Sequence, residues 1–126
     1  IFRSALEPAP DDAKTLTNLA YALVRQGKTE SLKYATRANE LLPENPSVLD
    51  TLAAALALSN HLPEAVELQR KAVSLSKDAP LYRLRLAELL VKAGDREAAK
   101  AELESLRRLG GRFDRQAEVT TLLARL

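Results

Sequence analysis

The stretch that decides the fold is Ala13–Asn45, AKTLTNLAYALVRQGKTESLKYATRANELLPEN, because its pattern returns twice more along the chain. Pro46–Ala79 reads PSVLDTLAAALALSNHLPEAVELQRKAVSLSKDA, and Pro80–Phe113 reads PLYRLRLAELLVKAGDREAAKAELESLRRLGGRF. Leu19-Ala20, Leu52-Ala53 and Leu86-Ala87 stand 33 and then 34 residues apart, as do Gly27, Asn60 and Gly94. Past that point Ser31, Ala65 and Ala99 are 34 apart both times, and so are Ala38, Ala72 and Leu106. One residue is therefore missing from the first copy between Gly27 and Ser31, in a turn, where a deletion costs least.

Each copy reads as two helices. Leu16, Leu19, Ala20 and Leu23 fall at i, i+3, i+4 and i+7, one apolar stripe of an amphipathic helix. Gly27 then supplies a left-handed residue to close it. The third copy does the same with Leu86, Ala87, Leu90 and Gly94, and Asp95 stands where an N-cap belongs. In the second copy Asn45-Pro46 and His61-Leu62-Pro63 open the helices, since proline loses nothing where a helical N–H has no partner. The small residues Ala20, Ala53 and Ala87, with Ser31, Ala65 and Ala99, let paired helices approach closely. A bulky side chain at any of them overpacks the contact, at a cost of roughly 1–3 kcal/mol.

The composition agrees. Of 126 residues 46% are hydrophobic and 29% charged, a globular balance dominated by Ala and Leu, with three Tyr, two Phe and four Gly. A net charge of +2 points to no particular partner. The chain has no Cys, which excludes disulfides, thiolate metal sites and a Cys nucleophile, and is compatible with any compartment, bacterial cytoplasm and envelope alike. No apolar run approaches the roughly 18 residues that span a bilayer.

These residues resemble the tetratricopeptide repeat (TPR) pattern: bulky, Leu-small, bulky, then Ala, Ala and Pro at set offsets. Leu16, Leu19, Ala20, Leu23, Ser31, Ala38 and Pro43 fill it in the first copy. Leu49, Leu52, Ala53, Leu56, Ala65 and Ala72 fill it in the second, and Leu86, Ala87, Leu90, Gly94 and Ala99 in the third. The departures are Arg83 at a bulky position, Lys77 where Pro would stand, and Leu106 in place of Ala. The resemblance implies an all-α fold, a right-handed α-solenoid of helix-turn-helix repeats with a C-terminal capping helix. Its units are residues 13–45, 46–79 and 80–113, with 114–126 as the cap and 1–12 as the end of a preceding repeat. Ala5-Leu6-Glu7-Pro8-Ala9-Pro10 matches Ala38-Asn39-Glu40-Leu41-Leu42-Pro43, so the chain is expected to open inside an earlier second helix, as the C-terminal piece of a longer array. At the other end Gly110-Gly111 breaks a helix. Asp114 is expected to cap a last one, with Val119, Leu122, Leu123 and Leu126 on its apolar face. More narrowly, residues 93–106 (AGDREAAKAELESL) and 112–126 (RFDRQAEVTTLLARL) are similar to the end of a large bacterial TPR protein of PEP-CTERM/exosortase systems.

Nothing in the sequence composes an enzyme or calls for a cofactor. The single His, His61, sits in a turn with no second ligand at metal spacing. No phosphate loop, nucleophile elbow or HExxH occurs, and Asp11-Asp12 suits a helix start. Arg107, Arg108, Arg112 and Arg115 form the one basic cluster. Glu102, Glu104 and Asp114 dilute it and only Phe113 could stack on a base, so nucleic acid is not the expected partner.

What remains is surface. The resemblance implies that the first helix of each pair lines a concave face that binds a protein or peptide. Its candidate contacts are Lys14, Thr17, Asn18, Tyr21 and Arg25, then Asp50, Thr51, Ala54 and Leu58, then Leu81, Arg85, Glu88 and Lys92. Tyr21, Arg25 and Arg85 are the most binding-like, as Tyr and Arg dominate interface hot spots. Chaperone-binding TPR proteins grip a C-terminal carboxylate with Lys, Asn, Asn, Lys and Arg. The matching places here are Thr17, Tyr21, Thr51, Leu81 and Arg85, and only Arg85 fits. The alternative is a structural segment of a longer solenoid that self-associates through the N-terminal stub.

Overall fold

The computed structural model describes residues 12–126. Seven α-helices follow one another: α1 (Ala13–Arg25), α2 (Ser31–Leu41), α3 (Pro46–Leu58), α4 (Leu62–Leu75), α5 (Pro80–Ala93), α6 (Arg96–Arg107) and, after a 3-10 turn at Gly110–Arg112, α7 (Gln116–Ala124). Consecutive helices pack against one another, and α1 also packs directly on α3. The result is an all-α helical-repeat solenoid. Asp11 and the expected N-terminal stub lie outside the described residues, as does any self-association built on that stub.

Local chemistry sets the helix ends. Asp12 caps α1, its carboxylate accepting from the Lys14 and Thr15 backbone N–H groups at 3.0 and 3.4 Å, and Asn45 caps α3 by accepting from Val48 N at 3.1 Å. Asp95 does the same for α6 through Ala98 N. Each first helix ends in one left-handed residue, Gly27 (φ 74°), Asn60 (φ 67°) or Gly94 (φ 84°). The next N–H then reaches back five residues, from Lys28, His61 and Asp95 to the Leu23, Leu56 and Leu90 carbonyls at 2.8–3.0 Å. The missing residue of the first copy shows here. The helices α4 and α6 start two residues past the left-handed position, whereas α2 starts four past it, after a tight turn whose N–H groups at Ser31, Leu32 and Lys33 bond only three residues back.

The small residues occupy the seams. Ala20, Ala35, Ala38, Ala53, Ala55, Ala65, Ala72, Ala87 and Ala99 are wholly or almost wholly buried. Between them run Leu49, Leu84, Leu86, Leu90, Leu103 and Leu106. Phe113, Val119 and Leu122 close the C-terminal end over Leu84 and Leu103, with Leu123 and Leu126 at the margin. One expectation fails there: Asp114 does not cap α7. Residues 110–115 are spent on the 3-10 turn and on an extended Phe113 that buries its ring, so the helix starts at Gln116 with Arg115 before it and no side-chain cap. Instead the Gln116 amide donates to the Leu106 and Gly110 carbonyls at 2.8 and 3.1 Å, tying α7 to the end of α6.

Candidate functional site

A groove of about 360 Å³ opens over the first helices, its walls on α1 and α5 and its floor on α3 with Gln69 of α4 below. The repeat explains its layout. Tyr21, Ala54 and Glu88 occupy one repeat position, and Arg25, Leu58 and Lys92 the position one turn later, so the same two rows cross all three helices. Ala54, Ala57 and Leu58 make the middle apolar.

The Tyr21 ring carries two guanidinium groups, Arg25 at 5.9 Å and Arg85 at 5.8 Å from its centroid. Arg85 is held there from beneath. Its guanidinium pairs with the Asp50 carboxylate, whose other oxygen accepts from Gln69 Nε2 at 2.8 Å. Gln69, wholly buried, completes its amide with the Tyr82 carbonyl at 3.0 Å. Burial pushes the Asp50 carboxyl above its ordinary value of 3.8, against the pull of Arg85 and the Gln69 hydrogen bond. Glu88 is likewise pushed up, first by burial and then by Glu118, while Arg85, Lys92 and Arg115 pull the other way. Arg25 and Lys92 have no carboxylate within ion-pair distance among the described residues.

Of the expected contacts, Tyr21, Arg25, Asp50, Arg85, Glu88 and Lys92 line the groove together with Ala54 and Leu58. Lys14 and Asn18 are exposed on α1 but away from it. Three expectations are corrected. Thr17 and Thr51 were expected on the open face and are buried, whereas Asp50, also buried, still reaches the groove lining. The Thr17 hydroxyl turns back to the Ala13 carbonyl at 2.7 Å. Leu81 is half-buried against the C-terminal core. Gln69 was missed because it sits on a second helix. The signal was a lone amide in the otherwise apolar row Ala65, Val66, Gln69, Ala72 and Val73.

A second cleft of about 280 Å³ lies between α5 and α7, lined by Glu88, Glu118, Thr121 and Arg125 among others. Two arginines of the basic cluster are paired, Arg107 with Glu104 at 2.6 Å and Arg115 with Glu118 at 3.5 Å. No group of three His, Cys, Asp or Glu among the described residues could hold a metal, and no helix there is long and apolar enough to cross a membrane.

No family model matches the sequence. Two curated proteins do: the cellulose synthase 2 operon protein C of Komagataeibacter xylinus, 34% identical over 113 residues, and the TPR repeat-containing thioredoxin TTL4 of Arabidopsis thaliana, 34% identical over 93 residues. These matches take in 84% and 73% of this chain but only 8% and 14% of those proteins, so the chain spans less than a sixth of either relative. The fold matches the Yersinia enterocolitica type III secretion chaperone SycD, solved with a peptide of the translocator YopD, with a TM-score of 0.75 over 88% of each chain at 18% identity. The chain is built of tetratricopeptide-type helical repeats, similar to those of these proteins. None of the three similar proteins is named as a PEP-CTERM component, and the narrower resemblance gains nothing from them.

Proposed function

We propose that this chain is a non-catalytic scaffold that binds a segment of another protein in the groove over α1, α3 and α5. The observation that carries the reading is the assembly of Tyr21 with Arg25 and Arg85 over an apolar floor. Tyr and Arg are the side chains that most often dominate binding energy, and here both are presented on rigid helices. The peptide held by SycD, a protein of similar fold, supports the same use. The likeness to a cellulose synthase operon protein supports a place in bacterial exopolysaccharide or protein-sorting machinery.

Selection from a peptide-display library against the full chain tests the binding reading. Selected peptides are expected to lose their hold on a Tyr21→Ala/Ala54→Gln variant, which removes the aromatic and fills the floor. They should keep it on Lys33→Ala/Lys100→Ala, which alters exposed second-helix residues. Both variants are first shown by circular dichroism to be as helical as the parent. Equal binding to both, or no enrichment at all, overturns the reading.

A further inference from the structure

The charges around the groove say more about its occupant than the fold does. Arg25 stands at the end of α1 and Lys92 in the last turn of α5, on opposite rims of the apolar floor, and neither has a carboxylate within ion-pair distance among the described residues, although Lys92 lies near enough to Glu88 to favour its charged form. Arg85 lies between them with one edge spent on Asp50, and a guanidinium has five N–H donors to offer. Of the two carboxylates that line the groove Asp50 is paired with Arg85, and Glu88 has no ion pair among the described residues, its charged form weakened by burial and Glu118.

The buried polar group beneath Arg85 points the same way. One repeat on, 34 residues from Asp50, Gln69 and Arg85, stand Leu84, Leu103 and Val119, which pack as plain core. The fold therefore has an apolar solution for these positions. A buried ion pair seldom adds stability over such a solution. Its effect here is to fix one guanidinium at the mouth of the groove.

We infer that the groove takes an extended acidic segment: one leucine- or phenylalanine-sized side chain seated over Ala54, Ala57 and Leu58, with carboxylates on either side meeting Arg25 and Lys92. This rests on the groove being the binding site. The occupant is an internal stretch of a partner protein, since the groove asks for side-chain carboxylates on two rims and not for one chain end. Asp50 and Gln69 act as positioning residues for Arg85.

The test uses three ten-residue peptides with both ends blocked, each a single leucine in a Gly/Ser background. Two glutamates, two glutamines or two lysines flank the leucine on each side. Binding to the full chain is read by fluorescence anisotropy. The glutamate peptide is expected to bind about tenfold more tightly than the glutamine one, two exposed ion pairs being worth roughly that together. The lysine peptide should bind weakest. In Arg25→Gln/Lys92→Gln the ratio between the glutamate and glutamine peptides should fall to about one, whatever the variant does to the binding of both. If all three bind alike and all are lost in Tyr21→Ala/Ala54→Gln, the acidic preference is overturned and the groove stands. If none binds at millimolar peptide, or binding survives in that groove variant, the groove falls with it.

Discussion

The same three repeat positions hold Asp50, Gln69 and Arg85 in the middle of the solenoid and Leu84, Leu103 and Val119 at its C-terminal end. Both sets are held by the same kind of elements, a first helix, its second helix and the next first helix. At the end the three are fully buried hydrophobes beneath Phe113 and Leu122. In the middle they form an ion pair and an amide bridge beneath the mouth of the groove. The first layer, Thr17, Ala35 and Thr51, is small and buried. Repeat geometry thus fixes which positions point inward and leaves open what chemistry fills them. The C-terminal set packs as plain core, and the middle set holds a cation at a surface.

Exchanging the two chemistries breaks the comparison most severely. Leu84→Asp puts a carboxylate where Leu103 and Val119 offer neither an amide nor a cation. An uncompensated buried charge costs about 3–5 kcal/mol, so urea denaturation should show the C-terminal helices melting early or the variant failing to fold. Adding Leu103→Gln and Val119→Arg is expected to recover part of the loss, because it rebuilds the middle set one repeat on. A single variant as stable as the parent would mean that the end of the array is far looser than its packing indicates.

That contrast also shows where sequence reading runs out. The 33- and 34-residue offsets, the left-handed positions at Gly27, Asn60 and Gly94, and the caps at Asn45 and Asp95 were all legible, because each depends on near neighbours. Tyr21, Arg25 and Arg85 could be picked out by residue type. The depth of a first-helix position was not legible. Thr17, Asp50 and Thr51 sit off the apolar stripe of their own helix, yet all three are buried. Gln69 could be tied to Asp50 only through a contact 19 residues away in sequence. The Asp114 cap failed because a buried Phe113 outweighed a local signal.

Removing the cation is the next largest step. Arg85→Ala leaves Asp50 buried with Gln69 alone, and takes one of the two guanidinium groups from the Tyr21 ring. Arg85 is partly exposed and the carboxyl can take up a proton, so the loss should be about 2 kcal/mol, below the value for a fully buried pair. Equilibrium unfolding at neutral pH measures it. A loss under a few tenths would show that water already serves Asp50 and that the middle set is not a buried network.

A smaller effect of opposite sign is expected at the first seam. Ser31 occupies the position of Ala65 and Ala99, all three wholly buried, and its hydroxyl has no hydrogen-bond partner. Ser31→Ala removes that stranded polar group without opening space, and should stabilise the chain by about 1 kcal/mol. Thermal unfolding reads it as a rise in Tm. No change, or a fall, would mean that the hydroxyl is satisfied, and the first repeat would then tolerate polar chemistry as the middle one does.

The subtlest difference between middle and end is in their response to pH. Leu84, Leu103 and Val119 carry no titrating group, whereas the Asp50 carboxyl is raised in the folded chain by burial. A raised carboxyl binds its proton more readily folded than unfolded. Its contribution therefore favours folding as pH falls through the window above 3.8, and is lost as pH rises through the folded value. Glu88 has the same sign. Asp12 has the opposite one, because the Thr15 hydroxyl and backbone N–H hold its carboxylate low, so its contribution is lost on acidification. The three separate by variant: Asp50→Asn should remove the gain that appears above pH 3.8 and leave the Asp12 loss, which falls below it, in place, in stability measured from pH 7 down to pH 2. An acid-side slope unchanged by Asp50→Asn would place Asp50 firmly in the charged state throughout. Arg85 would then outweigh burial, and the middle set would be a net stabilising ion pair rather than a cation held in position at the expense of a better core.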